Sequence, residues 1–140
     1  MPARERWTMT HLNKPSEPVL VVEDNDDNRE ILGTLLEVEG YHVAYAIDGR
    51  DALDKLERGL HPCLILLDVS MPRMNGIEFR RAQMADERFS EIPVILFSAV
   101  HEITWLYPAL DAPLVRKPVD LDRILRLVAQ RCLPRVAQAQ

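Results

Sequence analysis

Four polar features of the sequence are of types that could act together. Glu23-Asp24 closes the apolar run Val19-Leu20-Val21-Val22, and Asp68 closes the run Cys63-Leu64-Ile65-Leu66-Leu67. Ser98 follows Ile92-Pro93-Val94-Ile95-Leu96-Phe97, and Lys117 follows Pro113-Leu114-Val115-Arg116. Continuous apolar runs of this length suit strands buried on both faces of a parallel sheet. Each feature then stands at the carboxyl end of a strand, and parallel strands bring those ends to one edge, where ligands bind in open α/β sheets. Three carboxylates gathered there repel one another, by roughly 4 kcal/mol for a pair at about 4 Å and an effective dielectric of about 20. One lysine does not neutralise three acids, whereas a divalent cation does. An all-oxygen ligand set suits Mg²⁺, which keeps several waters and often bridges to phosphate. Beside such an ion Asp68 could attack phosphorus and form an aspartyl phosphate, with Ser98 and Lys117 donating to the phosphoryl oxygens. Each residue taken singly has a plainer reading. Asp68 caps a turn, Glu23 and Asp24 cap a helix, Ser98 bonds its own backbone, and Lys117 is a solvated charge. Their joint placement at successive strand ends favours the chemical reading.

The elements that must position this cluster follow in chain order. Residues 1–17 form a polar lead-in, expected as a flexible arm. Val19 to Val22 is the first strand, and Asn25 to Asn28 supply capping residues for a helix carrying Ile31, Leu32, Leu35 and Leu36, which stops at Gly40. Tyr41 to Ala46 reads as the second strand and Asp48-Gly49 as a turn or cap. Ala52, Leu53 and Leu56 mark a second helix that ends near Gly59. The third strand ends at Asp68, and the loop Val69 to Gly76 contains Pro72 and Asn75-Gly76. A short third helix spans Gly76 to Met84. The fourth strand begins at Ile92, with Pro93 where a missing N–H does least harm. Between His101 and Leu110 the pattern is weak, and Pro108 limits any helix there to about two turns. After the short fifth strand, Leu121, Ile124, Leu125, Val128 and Cys132 make an apolar stripe on a last helix capped by Asp120. Residues 134–140 are a tail. This alternation predicts a doubly wound, five-stranded parallel sheet in the flavodoxin-like order 2-1-3-4-5, with helices on both faces.

Composition sets outer bounds. A length of 140 residues is that of one domain with a core of its own. A net charge of -5 argues against general nucleic-acid binding. No stretch is long and apolar enough to span a bilayer, and the N-terminus lacks a signal-peptide core, so the expected location is the cytoplasm. Cys63 and Cys132 lie in apolar surroundings and are expected as buried thiols of a reducing compartment. His11, His42, His61 and His101 show no zinc-ligand spacing.

Val21-Val22-Glu23-Asp24-Asn25, Asp68-Val69-Ser70-Met71-Pro72, Met74-Asn75-Gly76, Ser98-Ala99 and Lys117-Pro118 occur in this order. Together they resemble the receiver domain of two-component response regulators, across residues 18–133. The resemblance implies that Asp68 accepts a phosphoryl group from a phosphohistidine on a sensor histidine kinase or a histidine phosphotransfer protein. It implies a Mg²⁺ cofactor held by Asp24, Asp68 and the backbone carbonyl of Ser70, with Glu23 acting through water. Ser98, Lys117 and the backbone N–H of Ala99 would bind phosphoryl oxygens, and the Lys117-Pro118 bond would be cis, as X–Pro bonds can be at low cost. Two departures stand out. Leu114 occupies the position where the family usually carries Tyr or Phe. The interval from Ser98 to Lys117 is short by about one helical turn, so a fourth helix is expected to be short or irregular. Trp105 and Tyr107 fall in that interval, either packed on the sheet edge or exposed as a partner surface. Val100 cannot hydrogen-bond a hydrolytic water, so a persistent phosphoryl group is expected.

The expected function is that of a stand-alone receiver, not an enzyme, which signals by protein–protein interaction without nucleic acid or membrane. A homodimer is left open. The alternative is a receiver-like scaffold that works without phosphorylation, since fold does not fix function. A hydrolase with an Asp nucleophile needs a second acid for the leaving group, and the loop Val69 to Gly76 contains none. A flavin site lacks its phosphate loop after the first strand.

Overall fold

The computed structural model describes residues 14–69, 74–98, 110–118 and 120–132. Strands β1 (Val19–Val22), β2 (Val43–Ala46), β3 (Leu64–Asp68), β4 (Val94–Ser98) and β5 (Leu114–Arg116) pair in parallel in the order β2-β1-β3-β4-β5. The helices among the described residues are α1 (Asp26–Val38), α2 (Gly49–Glu57), α3 (Gly76–Ala85) and α4 (Leu121–Arg131). This is the expected doubly wound topology. The helix anticipated between β4 and β5 falls in residues 99–109, outside the described residues, as does most of the N-terminal arm.

Side-chain alternation sorts the strands' apolar residues onto two faces. Leu20, Val22, Ile65, Leu67, Val94 and Leu96 pack with Ala52, Leu53 and Leu56 of α2 and Phe79 of α3. Val19, Val21, Leu64, Leu66, Ile95 and Phe97 pack with Leu32 and Leu36 of α1 and Ile124 and Val128 of α4. Both faces of the central strands are therefore buried, which is why their sequence is continuously apolar rather than alternating.

Helix ends are set by local chemistry. Asn25, Asp48, Asn75 and Asp120 each accept a backbone N–H three residues on, at the N-termini of α1, α2, α3 and α4. Asn75 and Glu78 form a reciprocal capping box. At the end of α1, Gly40 adopts φ 97°, its N–H donates to Glu37 O, and the N–H of Tyr41 donates to Leu36 O. That pair of bonds is a Schellman motif, in which a left-handed residue satisfies two otherwise unpaired carbonyls. It explains why the second strand starts at Val43 and not at Tyr41: the Tyr41 N–H already closes the helix. The fourth strand likewise begins at Val94, because Ile92 donates to Phe89 O in a turn. The fifth begins at Leu114.

The expected pair of free thiols is corrected. Cys63 and Cys132 form a disulfide, with Cα atoms 5.3 Å apart and a sequence separation of 69. Cys132 ends the apolar stripe of α4, and that stripe lies on the face to which Leu64 contributes, so the last helix brings Cys132 to the foot of β3.

The buried face of α3 is partly polar. Arg80 donates from Nε to Leu110 O (2.8 Å), from Nη2 to Asp111 O (3.0 Å) and from Nη1 to Gln83 Oε1 (2.8 Å). Gln83 Nε2 donates to Phe89 O and Ile92 O. One helical turn thus grips the backbone just ahead of both β4 and β5. Burial lowers the Arg80 pKa, with the neighbouring Asp111 opposing.

Candidate functional site

Strand register alone aligns the acids. Val22 pairs with Leu67, so the next residues, Glu23 and Asp68, stand level on adjacent strands. Both are buried, at 1 % exposure, whereas Asp24 is exposed. One carboxylate oxygen from each of Glu23, Asp24 and Asp68 lies within 4.8 Å of the others. Ser98 ends β4 and is buried; its carbonyl accepts the Lys117 N–H at 2.9 Å, which places the start of the last connection beside it. The Lys117 side chain crosses back over the sheet end. Its Nζ lies 3.1 Å from Asp68 Oδ2, 4.0 Å from Glu23 Oε2 and 5.4 Å from the centre of the Phe97 ring. The Lys117-Pro118 bond is cis.

Glu23 is the most perturbed group of the cluster. Its Oε1 accepts the Asn25 N–H at 3.3 Å, and its carbonyl accepts Arg29 Nη1 at 2.8 Å, which ties the first turn of α1 to the end of β1. Its Oε2 is buried and accepts no hydrogen bond. Burial, followed by the neighbouring Asp68 carboxyl, pushes the Glu23 pKa up to about 7, against the opposing pull of Lys117 and the Asn25 N–H. A buried carboxylate with an unused oxygen is costly unless something else supplies positive charge.

The chain that leaves β3 is pinned at both feet. Val69 N–H donates to Phe97 O, Gly76 N–H donates to Val69 O (2.9 Å), and Gly49 N–H donates to Met74 O (3.0 Å). A Cβ on Gly76 would sit 2.5 Å from Asp68 O and 2.7 Å from Val69 Cα, so only glycine lets α3 begin this close to the strand end. Next to the cluster opens a cavity of about 330 Å³, bounded by Glu23, Lys117, Pro118, Phe97, Ile31 and Leu121.

The structure brings together Glu23, Asp24, Asp68, Ser98 and Lys117. Leu114 is half-buried and packs with the apolar cluster on the α2–α3 face. Ser70, Ala99, Val100, Trp105 and Tyr107 lie outside the described residues. The grip of Arg80 and Gln83 on the chain ahead of β4 and β5 was not anticipated. A signal existed: four residues after Phe79 the buried face of α3 carries Gln83, an amide where the apolar stripe should continue.

Residues 19–129 match the family described as the response regulator receiver domain. The chain belongs to this family. It is a receiver domain of two-component signal transduction, a family of signalling modules. It is 36% identical over 128 residues to Regulatory protein AtoC of Escherichia coli strain K12, covering 89% of this chain and 26% of that protein. It is 36% identical over 119 residues to the Transcriptional regulatory protein CpxR homolog of Haemophilus influenzae, covering 84% of this chain and 43% of that protein. The receiver thus spans less than half the length of these two relatives. With the Polar-differentiation response regulator DivK of Brucella ovis it shares 38% identity over 84 residues, 60% of this chain and 68% of that one. Among solved structures, the Vibrio cholerae chemotaxis protein CheY4 superposes with a TM-score of 0.73 at 30% identity, covering 84% of this chain and 98% of that one. A response regulator receiver protein from Pseudomonas putida gives 0.75 at 30% identity, covering 82% and 98%. None of the described helices is long and apolar enough to cross a membrane.

Proposed function

We propose that this receiver is a phosphorylation-controlled switch with Asp68 as phosphoryl acceptor. The observation that carries the reading is the charge imbalance of the cluster. Three carboxylates meet one ammonium group, and Glu23 Oε2 lies buried without a hydrogen-bond partner. With all three acids ionised, two negative charges remain, the complement of one divalent cation. The ligands are oxygens only and Asp24 is open to solvent, which suits Mg²⁺ and the waters it retains. Asp24, Asp68 and the carbonyl of Ser70 would hold the ion directly, and Glu23 through water. Bound there, Mg²⁺ would offset the carboxylates and the charge of an incoming phosphoryl group.

The chain's own groups do the rest. The donor is a phosphohistidine on a sensor histidine kinase or a histidine phosphotransfer protein. An Asp68 carboxylate oxygen attacks phosphorus, the P–N bond to imidazole breaks, and its electron pair stays on the leaving nitrogen. Lys117, now paired with Asp68, passes to a phosphoryl oxygen, and the Ser98 hydroxyl and the Ala99 N–H donate to the others. The downstream readout is contact with another protein.

A small acyl phosphate supplies the test. Intact mass should rise by one phosphoryl group in the presence of Mg²⁺, and far less in chelator or in Asp68→Asn. One observation favours the rival scaffold reading: Leu114 carries no ring to report the switch, and it packs in the apolar cluster. A folded wild-type protein that takes no label with Mg²⁺ would support that rival.

A further inference from the structure

Cys63 and Cys132 are the only cysteines of the chain, and they are joined. Their positions are not arbitrary. Cys63 immediately precedes β3, the strand whose far end carries Asp68. Cys132 caps the C-terminus of α4, the helix whose first residue, Leu121, walls the cavity beside Lys117 and Pro118. The bond therefore ties together, at one edge of the sheet, two elements whose opposite ends meet at the acidic cluster. The Cys63 N–H donates to Pro18 O at 2.9 Å, so that foot of β3 is fixed by the lead into β1. The α4 side of the link is held more lightly. Within α4 only Ile124 and Val128 are buried, with Leu125 and Leu127 half-buried.

We propose that Cys63 and Cys132 form a reversible dithiol–disulfide couple, a redox clasp that sets how firmly α4 and its Leu121 end are held against the sheet. Both states fit the site. The Cα separation of 5.3 Å lies in the ordinary range for a bridged pair, and reduced cysteine is a small apolar residue suited to the same position. Access is unequal: Cys132 is 3 % exposed, whereas Cys63 is half-buried, so exchange enters at Cys63. The co-reactant is a small thiol of the glutathione class. Its thiolate attacks Cys63 Sγ, the S–S bond breaks, and the electron pair leaves on Cys132 sulfur, which takes up a proton. A second thiolate attacks the small-molecule sulfur of the mixed disulfide, which frees Cys63, and this sulfur also takes up a proton. The protein gains two electrons and two protons, and two small thiols become one small disulfide. Closure is the reverse.

The test holds the folded chain in glutathione buffers and reads thiol state by alkylation and mass, and α4 by amide hydrogen exchange. Reduced glutathione should open the bond without denaturant, and oxidised glutathione should close it again. On opening, the amides from Val128 to Cys132 should exchange roughly tenfold faster, while those of β1 and β3 stay protected. Cys132→Ala should match the opened state, and the reduced wild type serves alone if that variant fails to fold. A bond that opens only after denaturation would make the link purely structural and overturn the proposal. So would an opened bond with unchanged exchange in α4. None of these readouts uses Asp68 labelling, so the clasp and the phosphoryl chemistry stand or fall separately.

Discussion

Replacing Glu23 with glutamine reads the electrostatics of the cluster directly. Glu23 is buried at 1 % exposure, and burial with Asp68 beside it moves its pKa from an ordinary 4.5 to about 7. The folded protein therefore holds this proton more tightly than the unfolded chain does. Stability from this group is full below pH 4.5 and is lost as pH rises through about 7. At 1.36 kcal/mol for each tenfold change in proton affinity, the loss by about pH 8 amounts to about 3 kcal/mol. Glutamine keeps the shape, can accept the Asn25 N–H and can donate to Asp68, but it has no charge to desolvate. In chelator at about pH 8, Glu23→Gln should melt roughly 10 °C above wild type, and the gap should close as pH falls towards 5. Excess Mg²⁺ should stabilise wild type by about 2.7 kcal/mol at a hundredfold excess over Kd, and the variant by clearly less. Thermal melts followed by circular dichroism across this pH range, with and without Mg²⁺, provide the assay. A variant less stable than wild type at about pH 8 in chelator would refute the reasoning, as would a gap independent of pH.

Three further perturbations follow from the packing. Gly76→Ala forces a Cβ to within 2.5 Å of Asp68 O, so urea unfolding should show a loss of about 1–3 kcal/mol, and labelling of Asp68 should slow as the strand end shifts. Arg80→Ala strands the carbonyls of Leu110 and Asp111 and the amide oxygen of Gln83 in a buried site; a loss of roughly 3 kcal/mol in urea unfolding is expected, with Arg80→Lys recovering part of it. Opening the Cys63–Cys132 link removes a closure over 69 residues, which chain entropy values at about 4 kcal/mol, so reduced protein should unfold at lower denaturant with little change in secondary structure.

The sheet and the cluster were legible in the sequence for one reason. In a parallel sheet buried on both faces, strands write themselves as unbroken apolar runs, and the residue that breaks the run marks the ligand-binding edge. Val19 to Val22 with Glu23, and Leu64 to Leu67 with Asp68, each follow that rule, and the register then sets Glu23 level with Asp68. What escaped depends on contacts far apart in sequence. Cys63 and Cys132 meet only because α4 folds back over the foot of β3, and no local spacing encodes that. The grip of Arg80 and Gln83 is not spelled out in the sequence, because their partners are backbone carbonyls of Leu110, Asp111, Phe89 and Ile92, which carry no side-chain signature. The apolar pattern places the start of β2 two residues early, because Tyr41 is apolar enough for a strand, yet its N–H belongs to the end of α1.

The most direct test of the central claim locates the phosphoryl group. Protein labelled by a small acyl phosphate with Mg²⁺ is treated with borohydride, which reduces an acyl phosphate at aspartate to homoserine, and is then digested and sequenced by mass spectrometry. The convergence of Glu23, Asp24 and Lys117 on a single carboxylate predicts conversion at Asp68, dependent on Mg²⁺ and abolished in Asp68→Asn. Conversion at another carboxylate, or at none in protein that remains folded and binds Mg²⁺, would contradict it.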